Sequence, residues 1–574
     1  MKHPNFPAAL FAFLISSNCL SGTVYYVNAN NPNPSPPFTT WATSATNIQD
    51  AVDLASPGDQ VVVTNGFYAT GGRAVDDAMT NRVAATIPIT ISSVNGPDVT
   101  IIRGSQVPGT LVGDGAVRCV YLGDGAKLIG FTLTNGASLL ISEDLPYRKS
   151  GGGVIGTSTS AVVSNCVIGG CAAYNYGGGA FGVTLSNCTL IANAGFHGGG
   201  ASDCTLVNCT LAGNSTTLVG GGAFNSRLLN CTILTNSTPV SGGGADSSTL
   251  DRCLLSGNTS QTGGGANAST LNHCRLDGNA GGFGGGGGGG ATSSTLTYCI
   301  LTNNYGGGRG GGAWFCNLSN CVLVGNGVST SGGGAQESTL HNCAIIGNSS
   351  SESGGGVAAC TLFNCISYFN NNGNFTPFST LNYSCTTPDP GGVGNITNTP
   401  LFTDEASGDF RLLSNSPCIN SGLNDSAPTG PDLDGNPRIV GGAVDMGPYE
   451  FQNPSSTISY AWLQKFGLPI DGSADLADPD GDHMNNYQEW IAGTIPTDSS
   501  SVLRLLNPTS GAPGVTVSWQ SVTNRLYFLQ RATNPIFPFE TVVTNIPGQT
   551  LTTSFSDTNA TGNAPYFFRV GTHL

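Results

Sequence analysis

The stretch Gly198-Gly199-Gly200-Ala201-Ser202-Asp203-Cys204-Thr205-Leu206-Val207-Asn208-Cys209-Thr210-Leu211 decides the fold, because the chain writes variants of it ten times between Gly151 and Cys365. The cysteines that close each variant are Cys166, Cys188, Cys209, Cys231, Cys253, Cys274, Cys299, Cys321, Cys343 and Cys365. Their successive gaps are 22, 21, 22, 22, 21, 25, 22, 22 and 22 residues. From Ala180 onward the residue after the glycines always stands eight places before the cysteine. A period this regular means one structural unit stacked on copies of itself.

A 22-residue unit is too short for two packed helices, and its Gly, Thr, Ser and Asn are poor helix formers. Its apolar residues alternate in short runs, which is strand periodicity. Leu206 and Cys209 have opposite parity, so a corner must separate them if both point inward. Asn208 suits that corner, since Asn tolerates left-handed backbone angles. Asn holds the position in seven of ten coils; Arg252, His273 and Tyr298 are the departures. Five residues after the cysteine runs a second asparagine column: Asn193, Asn214, Asn236, Asn258, Asn279, Asn304, Asn326, Asn348 and Asn370. Amides stacked at one rung spacing are expected to bond along the column. The expected fold is all-β: a right-handed, three-faced parallel β-helix of about ten coils, with strands about 4.8 Å apart.

The ladder cysteines read as stacked buried thiols, with occasional rung-to-rung disulfides left open. A position five residues earlier alternates Cys204, Cys316 and Cys360 with Ser226, Ser248, Ser269, Ser294 and Ser338. That exchange indicates a demand for small size. From the second coil onward, length varies only between the second Asn and the next glycine triplet, so the insert Ala280 to Gly287 is expected in a surface loop.

With 84 glycines, 9% charged residues and a net charge of −15 in 574 residues, the chain is unlike a typical globular enzyme. Its 39% hydrophobic content at fixed repeat positions still allows a buried core. The acidic balance argues against nucleic acid or an anionic membrane surface as partner. Residues 1–21 read as a signal peptide: Lys2 and His3, an apolar run Phe6 to Ile15, then small residues. No later segment is long enough to span a bilayer. The chain is therefore expected to be secreted or held at the cell surface.

Several landmarks carry a family resemblance. Asn47 to Ala51 reads as a short helix leading through Gly58 to a strand at Gln60-Val61-Val62-Val63. With Gly66-Phe67-Tyr68, Asn95-Gly96-Pro97 and Gly130-Phe131-Thr132-Leu133-Thr134-Asn135-Gly136, it resembles the N-terminal region of the pectin-lyase-like β-helix superfamily. The Gly-Gly-Gly-Ala boxes with downstream Asn resemble the repeats of polymorphic outer membrane proteins, without the Phe of their second signature. Gly408-Asp409-Phe410-Arg411-Leu412, Ser416-Pro417-Cys418-Ile419, Asp434-Gly435-Asn436-Pro437-Arg438 and Asp445-Met446-Gly447-Pro448-Tyr449-Glu450 resemble the closing module of choice-of-anchor bacterial surface proteins. These likenesses imply fold and an extracellular setting, with outer-membrane association, more strongly than activity. The expected organisation is 22–150 N-terminal cap and first coils, 151–394 repeat helix, 395–452 closing module acting as a cap, 453–507 acidic segment and 508–574 β-sandwich.

In the acidic segment, Asp478, Asp480, Asp482, Asn486 and Glu489 place oxygen ligands at positions 1, 3, 5, 9 and 12 of a 12-residue span. Hard Ca²⁺ takes six to eight oxygens, which alternate carboxylates on a tight loop supply, the Met484 carbonyl being a further donor. The segment resembles thrombospondin type 3 and dockerin calcium loops. His483, however, stands where glycine normally turns the loop, and Gly481 comes two places early. A merely solvated acidic turn is the competing reading. The last residues read as strands Val515–Trp519, Leu526–Arg531, Thr550–Phe555 and Tyr566–Val570 of a small sandwich.

No catalytic residue stands out. Between Gly151 and Asn370 there is no lysine; the arginines are Arg227, Arg252, Arg275 and Arg309, and the acids Asp203, Asp246, Asp251, Asp277, Glu337 and Glu352. These make no facing carboxylate pair at repeat register, as a glycosidase needs. Asp251, Arg252, Arg275 and Asp277 read as a surface ion-pair cluster, and the glycine boxes lack the Lys-Ser/Thr of a phosphate loop. The leading expectation is a non-catalytic adhesin-like surface protein meeting a glycan or surface protein. The alternative is a polysaccharide lyase or hydrolase using the non-repeat coils, near Asp76, Asp77 and Arg82 or Glu143 and Asp144.

Overall fold

Each coil lays one short strand on each of three parallel sheets, because its apolar residues come in runs of three separated by residues that turn the backbone. The computed structural model describes residues 22–75, 79–140, 146–282, 286–511, 514–536, 538–561 and 565–572. The signal-peptide reading, Asp76, Asp77, Glu143 and Asp144 lie outside them. The fold is all-β, a parallel β-solenoid followed by smaller elements, as the repeat predicts. Among the described residues no helix is long and apolar enough to cross a membrane.

The chain divides into two compact units. In the first, a strand Val24–Val27 precedes the expected one and pairs in parallel with Gln60–Val63, which pairs with Thr90–Ser93. Lys127–Ile129, Val162–Ser164 and Thr184–Ser186 continue that sheet. Helix α1 (Ile48–Val52) starts where the Asn47 side chain accepts the Asp50 N–H. Its buried Gln49 takes the Ala84 N–H at 2.7 Å and donates to the Ala84 carbonyl at 3.3 Å, substituting for a neighbouring strand. An open edge is thereby satisfied.

The second unit carries most of the repeat, and its registers are strict: Leu206 lies over Leu228, Leu250, Leu271, Leu296, Leu318, Leu340 and Leu362 in turn. Three long sheets are joined by a fourth, short one: Thr259–Ser260, Ala280–Gly281, Tyr305–Gly306, Gly327–Val328 and Ser349–Ser350. The three-faced expectation thus misses a minor face, which two-residue strands are too brief to announce by periodicity.

The columns stack as read. In the Asn column, Asn236 Nδ2 donates to Asn258 Oδ1 at 3.0 Å and to the Leu211 carbonyl at 2.9 Å, and the Asn236 N–H also reaches Asn258 Oδ1 at 2.9 Å. Both amide hydrogens and both lone-pair directions are engaged, so burial carries no penalty. Asn374 ends the ladder by accepting from Asn370 N and Nδ2 at 3.1 Å. In the cysteine column, Cys253 Sγ receives the Cys231 N–H and Cys343 Sγ the Cys321 N–H, each at 3.4 Å. All described cysteines are buried. The Cys/Ser column is more than a size filter. Ser226 Oγ accepts the Cys204 N–H at 3.1 Å and Cys360 Sγ accepts the Ser338 N–H at 3.4 Å, so the position needs a small acceptor.

The corner predicted at Asn208 is left-handed with φ 53°, and Arg252, His273 and Tyr298 adopt the same turn at 52°, 50° and 54°. The stack around them therefore outweighs the cost of about 1–2 kcal/mol for a non-glycine residue in that region. Within one glycine triplet, Gly220 turns with φ 68°, while a Cβ on Gly221 or Gly222 would lie 2.4 or 2.5 Å from the carbonyl oxygen of Gly243 or Gly244.

The segment expected as a closing module packs along the side of the solenoid. Its Phe402, Phe410, Leu412, Cys418, Ile419 and Met446 form one core with Val322, Ala344, Ile346 and Ile366, which project from the outer face of the second sheet. Three corner asparagines hold it there. Asn320 Oδ1 receives Arg438 Nη1 at 3.2 Å, Asn342 Nδ2 donates to the Asp445 carbonyl at 3.0 Å, and Asn364 bonds Leu423. Beneath lies a buried network in which Arg438 pairs with Glu450 at 3.0 Å and Asp445 accepts the Asn420 and Phe451 N–H groups.

Beyond it, α2 (Tyr460–Lys465) and α3 (Asn486–Ala492) pack Leu463 and Trp490 with Ile458, Ala474 and the module's Ala443. The chain ends in two three-stranded antiparallel sheets around Val517, Trp519, Tyr527 and Leu529. The sandwich expectation holds, with strands Thr509–Gly511 and Glu540–Pro547 added. The second of these is half exposed and lacks a clear alternation.

Candidate metal centre

The acidic loop is shaped by its own first carboxylate. Asp478 accepts the Gly481 N–H at 2.8 Å on one oxygen and the His483 N–H at 3.1 Å on the other. Gly481 and His483 both turn left-handed, with φ of 76° and 77°. His483 therefore makes the turn that glycine usually makes, its ring exposed, and the departure noted in the sequence is accommodated. His is among the residues enriched in that region. Asp482 Oδ1 then accepts the Met484 N–H at 2.8 Å, and Asn485 opens α3 with a capping box shared with Gln488. The helix start fixes Asn486 and Glu489 on its first turn.

The three aspartates converge: one ligand oxygen from each of Asp478, Asp480 and Asp482 lies within 4.8 Å of the others. Four buried oxygens have no hydrogen-bond partner: Asp480 Oδ2, Asp482 Oδ2, Asn486 Oδ1 and Glu489 Oε2. They belong to four of the five residues picked from spacing. Asn486 is oriented because its Nδ2 donates to the Ala474 carbonyl at 2.7 Å, which leaves Oδ1 as the open acceptor. Glu489 falls outside the tight aspartate trio, and its Oε1 takes the Thr494 hydroxyl at 3.4 Å.

Among the described residues none of these four carboxylates makes an ion pair. Burial, then the charges of Asp480 and Asp482, pushes the Glu489 carboxyl up to about 7; burial likewise raises Asp480. Like charges gathered with orphaned buried acceptors are costly unless a cation joins them. Hard oxygen donors of this number and charge suit Ca²⁺.

The other candidates do not assemble a site. Asp251 pairs with Arg252 at 3.0 Å and Arg275 with Asp277 at 3.7 Å, two exposed pairs each within one coil. Arg82 donates Nε to the Arg103 carbonyl at 2.9 Å and Nη1 to that of Gly71. The docking asparagines and the buried acids Asp432, Asp445 and Glu450 escaped the sequence reading. One weak signal was present: the first outward position after the ladder cysteine is Thr189, Thr210, Thr232, Leu254 and Arg275, then apolar at Ile300, Val322, Ala344 and Ile366.

No protein-family profile matches the chain, and no curated protein matches it. Among solved structures it is similar to pectate lyase Pel9A, at 12% identity and TM-score 0.28 over 74% of this chain and 96% of that one. It is similar to the A-module of the Azotobacter vinelandii mannuronan C-5 epimerase AlgE6, at 12% identity and TM-score 0.31 over 62% and 95%. The surface adhesin PfbA of Streptococcus pneumoniae follows at 10% identity and TM-score 0.25 over 59% and 87%. Likeness at this level says nothing about chemistry.

Proposed function

We propose that this chain is an exported, non-catalytic β-helical surface protein of adhesin-like character, with a C-terminal region stiffened by Ca²⁺. The observation that carries the non-catalytic reading is the engagement of every acid in the repeat coils. Asp246 accepts from Ser241, Ser247 and Asn267, and Asp251 from Arg252 and Asn272. Asp277 accepts from Thr302, Glu337 from Arg309 and Trp314, Asp203 from Asn225 and Glu352 from Ser331. A general acid or base must present an oxygen to substrate, whereas each of these acids directs at least one oxygen to a nearby side chain.

In this reading 151–394 is the presenting surface, 395–452 a clasp of the choice-of-anchor kind, 453–507 a thrombospondin type 3 or dockerin-like calcium segment, and 508–574 an accessory sandwich. Asp478, Asp480, Asp482, Asn486 and Glu489 hold the ion, which supplies charge neutralisation and cross-links the loop to α3. The partner is an extracellular glycan or surface protein.

The test incubates the full chain with acidic and neutral polysaccharides while scoring its retention on glycan-coated surfaces. Retention without release of unsaturated or reducing ends is expected. Release that disappears on substituting Asp76, Asp77, Glu143 or Asp144 would replace this reading with a lyase or hydrolase.

A further inference from the structure

A cavity of about 620 Å³ opens between the last coils, α2 and the sandwich, lined by Tyr383, Asn395, Asn398, Trp462, Lys465 and Arg525. In a chain with 19 Lys and Arg among 574 residues, two cations on one cavity wall are conspicuous. Among the described residues neither is neutralised. Arg525 donates only to backbone carbonyls, those of Ile491 at 2.9 Å, Trp490 at 3.1 Å and Asn524 at 3.4 Å. Lys465 makes no ion pair, its Nζ lying 5.3 Å from the Phe466 ring centroid. The wall also carries one carboxylate, Asp389, which accepts the Gly391 N–H at 2.9 Å through one oxygen. A second cavity of about 710 Å³ shares Tyr383 and Arg525, so Arg525 stands where the two meet.

Aromatic side chains offer flat apolar faces, the exposed Asn398 amide offers a donor and an acceptor while Asn395 is spent on Ser384, Leu381 and Gly391, and unpaired cations attract a carboxylate. We propose that this cavity binds an acidic saccharide, a sugar chain whose carboxylates pair with Lys465 and Arg525 while its rings lie against Trp462 and Tyr383. The proposal rests on the glycan-contact reading above and gives it a place and a chemical class. It also ties the site to the metal centre. Two of the three carbonyls holding Arg525, those of Trp490 and Ile491, belong to α3, whose first turn carries Asn486 and Glu489.

The experiment is calorimetric titration of the full chain, in calcium-containing buffer, with tetrasaccharides of galacturonate, mannuronate and glucuronate and with their methyl esters. At least one free acid is expected to bind, with its ester weaker by about tenfold or more, as loss of a charge-assisted hydrogen bond implies. Lys465→Gln, at an exposed position that leaves folding untouched, is expected to weaken the acid about as much and the ester little, and Lys465→Arg to restore binding. Equal affinity for acid and ester, indifference to both Lys465→Gln and Arg525→Gln, or no binding by any acid would overturn the site. Glycan retention that persists unchanged in those variants would leave the adhesive function standing and refute only this location.

Discussion

Asn364 holds Leu423 at both ends of its backbone: Oδ1 accepts the Leu423 N–H at 2.7 Å and Nδ2 donates to the Leu423 carbonyl at 3.0 Å. The same residue turns the coil, with φ 54°, and its own carbonyl accepts the Gly447 N–H at 2.8 Å. A corner that serves only the repeat in coils such as that of Asn208 here fastens a separate module, as it does at Asn320 and Asn342.

This double role separates Asn364 from Asn208, whose side chain is exposed. Asn208→Ala is expected to cost only the left-handed turn, about 1 kcal/mol. Asn364→Ala adds unsatisfied groups on Leu423 and is expected to cost about 1–3 kcal/mol more. Denaturant midpoints, with amide exchange at Leu423, compare the two.

Replacement in the middle of the amide column is expected to be worse than at its end. Asn258→Ala strips the Asn236 N–H and Nδ2 of their acceptor and the Ile233 carbonyl and Asn279 Oδ1 of a donor. A loss of about 3 kcal/mol or more follows if each buried group retains even part of its desolvation penalty. Since coils interact with nearest neighbours, exchange protection is expected to collapse first in the coils flanking Asn258.

Burial pushes the Cys316 and Cys360 thiols up to about 12 and raises those of Cys321 and Cys343. Since every described cysteine is buried, native protein is expected to resist thiol-specific reagents at pH 8 and to react throughout once denatured. Prompt labelling of the folded chain would contradict the buried column.

The clasp carries a pH dependence. Burial pushes Asp445 from its ordinary 3.8 to about 7, and burial together with the Asp445 charge pushes Glu450 from 4.5 to about 8. An acid with a raised folded pKa holds more protons folded than unfolded between its two values. Stability is then full below the unfolded pKa and is lost as pH rises through about 7–8. Opening free energies from exchange of the Asn420 and Phe451 amides, which bond Asp445, are expected to fall between about pH 4 and pH 8 and to level off above. Glu450→Gln is expected to flatten the fall.

Period, parity and the two columns were legible because a stack repeats every inward position, so one coil's ambiguity is resolved by nine others. The convergence of the three loop aspartates was legible because alternate carboxylates on a tight turn bring their oxygens together. What escaped were relationships made once: Asn364 to Leu423, Gln49 to Ala84, and the placing of Arg525 under α3. Arg252, His273 and Tyr298 looked like departures, yet they turn as Asn does because neighbouring coils set the backbone there. The minor fourth sheet and the strand Glu540–Pro547 lacked the alternation that would have announced them.

Four buried oxygens awaiting a partner on Asp480, Asp482, Asn486 and Glu489 are best tested by calcium titration of the intact protein. One ion is expected to bind with a dissociation constant of about 10⁻⁴–10⁻³ M, as in extracellular modules, with Asp480→Asn abolishing uptake and leaving the repeat coils' exchange protection unchanged. No uptake by the unsubstituted chain at about 10 mM calcium, well above that range, would contradict the account.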